Sequence, residues 1–393
     1  MGRRGKALAF FLGSHLLDLV VIMDLLPVDL EQFWKDDELA HEDNCFSPNA
    51  PQVALGLRMS GECLMTEFGE NLDDPLWTRP ERKRLIELNK RYNDKAEKVV
   101  GIRLMPEDYP TAEMEFPAFK QIGEVFGGVY TLHDGSEWLS SDIKTYKQLE
   151  QRLDIIDKMD LREFILPAGW DEKCKSLYDN FGLKPEPIRG IRGPVTLACS
   201  IFGIENFIFM LYEEPDLSER FSNTIADVIT GMADIMLKES GRETFGFQFY
   251  DDNCCMLNEE LYDFFAYPIL KKVFDRFAPE PHHDRFQHSD SAMEHLLPVL
   301  GRLDFKGVNF GPTVTVDKIR KYMPKTRIDG CLNPRTFMKD DREGIIADVK
   351  RDCEMAKQYG RGVNIFTAGS INYGSTLAGM RAAMWAICEY GRY

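Results

Sequence analysis

Residues 284–312 read DRFQHSDSAMEHLLPVLGRLDFKGVNFGP. A short run ends in Gln287-His288-Ser289-Asp290, a helical stretch covers 291–301, and a second run over 305–310 ends in Asn309-Phe310-Gly311-Pro312. The same cycle continues on both sides. Upstream lie a helix over 216–240, the β-rich run Thr244–Tyr250 closed by Asp251-Asp252, and a helix over 258–277. Downstream come a helix over 315–322, a strand over 326–330, a helix over 341–359, a strand over 362–368 and a helix over 375–390. Strands alternating with helices at this spacing predict a parallel sheet covered by helices. At least six such units, with no Gly-x-Gly-x-x-Gly after any strand, favour an α/β fold of the (β/α)8 TIM-barrel type over a doubly wound sheet. The polar clusters then gather at one rim, joined by Gly330-Cys331-Leu332-Asn333-Pro334 and Gly369-Ser370-Ile371-Asn372. That rim is the expected functional pocket.

The signals for the 216–240 helix agree with one another. Asp216 with Glu219 has the spacing of a capping box, Phe221, Ile225, Val228, Ile229, Met232 and Met236 fall on one face, and Gly241 follows the last turn. By contrast, residues 28–186 are irregular, Pro-punctuated and charged, with helical patches such as Pro80–Val100.

With 44% hydrophobic and 28% charged residues in 393, the chain can bury a large core and is not disordered. A net charge of −16 without a basic run argues against nucleic acid as a partner. The nine cysteines are odd in number and form no Cys-x-x-Cys pair, which points to reduced thiols in a cytoplasm. Met1 to Lys6 followed by Ala7 to Leu12 has the outline of a basic segment and an apolar segment of a leader. His15 and Asp18 interrupt it and no small-x-small site follows, so a peripheral helix or a start placed too early is the better expectation. Nothing approaches the run of about 18 apolar residues that a membrane span needs, and no membrane partner is expected. Oligomeric state is open, a homodimer included.

At the rim, His288 sits where an imidazole faces the barrel mouth. Asp290, two residues on, either shares a metal with it or caps the next helix. Cys331 is flanked by residues that force a turn, and a thiolate there suits Zn²⁺; the alternative is a small buried thiol. Asp251 and Asp252 supply paired carboxylates for acid or base work, for a cationic group, or for holding a loop through backbone N–H bonds. Tyr250, Asn309, Asn333, Ser370 and Asn372, at the same strand ends, are the expected substrate contacts.

Gly193-Pro194-Val-Thr-Leu-Ala, Gly203-Ile-Glu-Asn206, Glu214-Pro215-Asp216, Tyr250-Asp251-Asp252, Leu261-Tyr262 and Tyr267-Pro268 occur in that order. They continue through Leu296-Leu297-Pro298, Asn333-Pro334 and Ala368-Gly369-Ser370-Ile371. Together they resemble the uroporphyrinogen decarboxylase superfamily over about residues 115–390. The resemblance implies a (β/α)8 barrel over 111–393, preceded by a helical and irregular N-terminal extension over 1–110. The Arg-Gln-Ala-Gly-Arg-Tyr signature of the true decarboxylases is absent, Gly56 to Gly61 being its nearest counterpart. The other branch, zinc-dependent methyltransferases of corrinoid systems, carries His-x-Cys after one strand and a further Cys near the last. Here His288 matches the His, while Asp290 and Ser370 stand at the Cys positions.

A harder ligand set of His288, Asp290 and Cys331 would leave zinc more Lewis-acidic, suited to a methyl ether rather than a thiol. The resemblance therefore implies an O-demethylase type of methyltransferase. It would move a methyl group from a small substrate, a methoxylated aromatic being preferred, to the Co(I) of a separate corrinoid protein, with Asp251 or Asp252 assisting the departing oxygen. Aromatics from Phe116 through Phe126 to Trp138 either line the pocket or fill the core. The alternatives are a metal-free decarboxylase or lyase of the same fold and a barrel that has lost catalysis.

Overall fold

The computed structural model describes residues 25–69, 82–133, 136–243 and 246–393. The leader-like segment, the start of the Pro80–Val100 helix and the Thr244 end of its strand lie outside them. Strands are numbered in chain order: β1 Ala54–Leu55, β2 Val129–His133, β3 Ser136–Ser140, β4 Gly190–Arg192, β5 Gly246–Tyr250, β6 Asp284–Ser289, β7 Gly307–Phe310, β8 Arg327–Asp329 and β9 Val363–Ile365. Seven of them pair in parallel or lie in the parallel series, separated by helices, and β2 with β3 forms an antiparallel hairpin. This is the α/β alternation expected from the sequence.

Two compact units result: the chain through Glu107 together with Leu332–Tyr393, and Asp108–Cys331. In the first, the stretch expected as an irregular extension supplies β1, which pairs in parallel with β9 through Ala54 with Asn364 and Leu55 with Ile365. A strand of two residues carries no period in the sequence, so its partner alone defines it. Helix Arg82–Val100 buries Leu88, Tyr92, Ala96 and Val99, a helical period of three to four. Helix Leu377–Tyr390 carries Arg381, whose guanidinium donates to the carbonyls of Leu26 at 2.8 Å, Val99 at 3.1 Å and Val28 at 3.1 Å. These bonds tie the last helix to the early residues and explain why the two ends of the chain share one unit.

In the second unit, β4 to β8 form a parallel series with one face under helices. Phe247 and Phe249 pack on that face against Phe277 and Phe274 of helix Tyr267–Phe277, with ring centroids 5.6 and 5.5 Å apart. Burying such rings accounts for about 2–3 kcal/mol each. Helix Pro215–Ser240 buries all six residues of its predicted stripe and ends at Gly241 with φ of 59°. The capping box does not form. Pro215 takes the first helical position, which moves Asp216 into the first turn, where its charge still favours the helix N-terminus. The predicted 258–277 helix is two, breaking at Ala266 before Pro268, and the 291–301 stretch is a series of single turns around Pro298. No single helix among the described residues is long and apolar enough to cross a membrane.

Candidate active site

Strand register builds the site. Arg192 pairs with Tyr250, Tyr250 with His288, and His288 with Asn309, so four parallel strands present these side chains in one row on one face. One layer below, Gly190, Gln248, Phe286 and Gly307 form the next row. Gly190 is required there, because a Cβ would stand 2.7 Å from the Gln248 side chain.

The Asn309 amide orients the His288 ring. Its NH₂ donates to the Asp329 carbonyl, which can only accept, and this leaves Oδ1 facing His288 Nδ1 at 2.7 Å. Nδ1 therefore carries the hydrogen, and Nε2 is turned toward Asp252 Oδ1 at 3.4 Å. Asp252 and Asp290 complete the cluster, each offering an oxygen, with the three ligand atoms within 4.8 Å of one another. The backbone N–H of Asp290 donates to Asp252 at 3.3 Å and holds the two acids together. Burial and the charge of Asp252 both push the Asp290 carboxyl above its usual range. A nitrogen lone pair and two carboxylates converging on one point can hold a cation between them, a proton or a metal ion.

Asp251 and Asp252 separate sharply. Successive residues of an extended chain point opposite ways. Asp252 is half-exposed and lines the cavity, whereas Asp251 is fully buried and accepts the backbone N–H groups of Thr196 at 2.7 Å and Val195 at 3.5 Å. It caps helix Pro194–Phe202 from outside that helix's own sequence. Desolvation pushes its carboxyl up to about 6, against the opposing pull of those N–H bonds.

Cys331, expected as a metal ligand with His288 and Asp290, is not in the cluster; its thiol is fully buried, and Asp252 supplies the third ligand atom. Asp290 does not cap a helix, since the next turn starts at Glu294. Asn333, Ser370 and Asn372 belong to the other compact unit. Asn333 there caps helix Pro334–Met338 by accepting the N–H of Arg335 at 3.0 Å, and Ser370 is exposed. Cys254 lies buried beside Ser289 at 3.5 Å, and burial raises its thiol well above the ordinary range.

Next to the cluster, within the same unit, is a cavity of about 440 Å³. Tyr250 and Asp252 border it, and Phe119, Ile122, Ile191 and Met232 give it apolar walls. Of the expected aromatics only Phe119 reaches it. Phe126 is core, Phe116 packs against Trp170 at 6.2 Å, and Trp138 is exposed on the hairpin. The sequence reading passed over Arg192 and Tyr130, which also line the cavity. Arg192 follows an alternating run into a strand end, the same positional signal that singled out His288.

Asn309→Ala is expected to free the imidazole to take either tautomer. Divalent-ion affinity, read by competition with a chromophoric chelator, should fall about 10- to 100-fold with the thermal midpoint nearly kept. Unchanged affinity would separate Asn309 from the site.

The family model described as uroporphyrinogen decarboxylase (URO-D) matches residues 170–389, more than half of the chain. No curated protein matches the sequence. Among solved structures, one titled "methyltransferase from Methanosarcina mazei" is similar with a TM-score of 0.51 at 15% identity, over 85% of this chain and 99% of that one. That likeness speaks for the fold, which is of the (β/α)8-barrel type, and the family match for descent. The chain belongs to the uroporphyrinogen decarboxylase family.

Proposed function

We propose that the protein is a methyltransferase that takes a methyl group from a small ether, a methoxylated aromatic, and passes it to the corrinoid of a partner protein. The observation that carries the reading is the Asp252–His288–Asp290 cluster bordering a largely apolar cavity of about 440 Å³, a volume that suits one aromatic ring with substituents. The structural likeness to a protein named as a methyltransferase agrees with it. The donor set fits a divalent ion: one neutral imidazole and two carboxylates are ordinary zinc ligands, and the Asn309 bond to Nδ1 gives the supporting contact that metal-binding imidazoles commonly have. Such an ion, when bound, supplies Lewis acidity toward the ether oxygen.

The chain's own residues do the rest. Asp252, His288 and Asp290 would hold the ion that meets the oxygen end of the substrate, and Asn309 orients the imidazole so that Nε2 faces the two acids. Phe119, Ile122 and Met232 exclude water from the ring, and Tyr250, with its ring 6.2 Å from that of His288, borders the reacting end. The C–O bond to the methyl group would break with its electron pair left on oxygen, and the partner's reduced corrinoid would supply the pair that bonds the methyl carbon. Cytoplasmic placement, inferred from the thiols, belongs to the same proposal.

The cation at the cluster can also be a proton, and this favours the second reading, a metal-free decarboxylase in which Asp252 and His288 share it. Elemental analysis of anaerobically purified protein decides between them. About one zinc per chain, lost in His288→Ala, is expected. A wild type without metal that also fails to bind added zinc would overturn the methyltransferase mechanism and leave the proton-sharing pair.

A further inference from the structure

A cation faces the cavity without a counter-ion. Arg192 closes β4 in the row that contains Tyr250 and His288, and it lines the cavity with them. Among the described residues no carboxylate pairs with it. The acids near the cavity have other partners: Asp252 faces His288 and accepts the N–H of Asp290, Asp251 accepts at the helix N-terminus, and Glu137 accepts from Gln121 at 3.1 Å. Tyr130, on the hairpin strand β2, also lines the cavity, and its oxygen accepts from the Gly123 N–H at 3.2 Å. With that oxygen accepting from Gly123, the hydroxyl hydrogen is left to donate. Arg192 and Tyr130 thus offer donors beside the apolar walls made by Phe119, Ile122, Ile191 and Met232. A half-buried guanidinium in such a place gains from an anion that meets it. It is also the side chain best matched to a carboxylate or phosphate oxygen pair.

We infer that Arg192 and Tyr130 form an anion-binding subsite, and that the substrate of this cavity carries a carboxylate or another oxyanion at the end away from its reacting oxygen. The row geometry gives the order: the anion at Arg192, the body of the molecule along Tyr250, the ether oxygen toward His288 and Asp252. The inference rests on the cavity being the substrate site, as proposed above. It does not depend on methyl transfer, on bound metal or on a corrinoid partner. Oxyanion recognition also makes Arg192 a specificity residue, because a neutral analogue would leave the guanidinium desolvated and unpaired.

The test is binding, read by calorimetry on the full chain, with 4-methoxybenzoate, 4-methoxyphenyl phosphate and neutral methoxybenzene as probes. At least one anion is expected to bind about 10- to 100-fold more tightly than methoxybenzene, and whichever of the two is tighter assigns the oxyanion. Arg192→Met, which keeps the apolar stem, should remove that preference, and Tyr130→Phe should weaken it in part, with thermal midpoints and zinc content as in the wild type. Equal binding of the neutral probe, an anion preference that survives Arg192→Met, or no binding of either anion at about millimolar concentration would each overturn the subsite. Charge-selective binding without any methyl transfer would leave the subsite standing and remove the methyltransferase reading.

Discussion

Asp252→Asn is expected to leave the protein folded but unable to hold a divalent ion at the cluster, and to lower the proposed methyl transfer by about a thousandfold or more. The substitution is nearly isosteric, and the amide oxygen can still accept the N–H of Asp290, so the thermal midpoint should stay close to that of the wild type. One of the two negative charges at the cluster is removed, and a donor NH₂ enters where lone pairs converge. The loss of metal affinity should exceed the about 10- to 100-fold expected for a supporting residue such as Asn309. The measurements are zinc content after dialysis and demethylation of 4-methoxybenzoate in the presence of a reduced corrinoid acceptor. A variant that keeps its zinc and its rate would show that the cluster is only a solvated group of acids.

The neighbouring residue should behave in the opposite way. Asp251→Ala is expected to destabilise the fold by about 3 kcal/mol, since it leaves the N–H groups of Thr196 and Val195 without an acceptor inside the protein and opens a small void. Urea denaturation would read this directly. A cost below about 0.5 kcal/mol would mean that water replaces the carboxylate. Its ionisation adds a pH signature. The folded group titrates near 6 and the ordinary value is 3.8, so the fold holds a proton that the unfolded chain has released. That contribution is full below about pH 4 and is lost as pH rises through 6, a change of about 3 kcal/mol. Asp251→Asn keeps an acceptor oxygen and cannot ionise. Relative to wild type it should therefore gain stability between pH 4 and pH 7, and equal pH slopes in the two proteins would refute the assignment.

These two acids show where the sequence is legible and where it is not. The period of the 215–240 helix and the alternation of strands with helices are local patterns, and they placed nearly every element of residues 215–390. The polar cluster after each strand likewise located His288 and Asp290. Which of two adjacent aspartates faces the cavity depends on the twist at the end of β5, and no residue type reports that. Cys331 has the chemistry of a ligand but lies buried, because whether the chain turns its thiol inward after β8 is decided by packing. Arg192 became interpretable only once register aligned it with Tyr250 and His288.

Arg381 reaches carbonyls that stand far away along the chain, 355 residues in the case of Leu26. During synthesis, at about 5–20 residues per second, the face of helix Arg82–Val100 and strand β1 wait on the order of tens of seconds for β9 and the final helix to be made. Residues 108–331 have their mutual contacts available in that interval, while β1 in the earlier segment still lacks its pairing partner β9. In the newborn chain the strand edge of β1 thus stays open until β9 is made, and that edge is what a chaperone would have to shield.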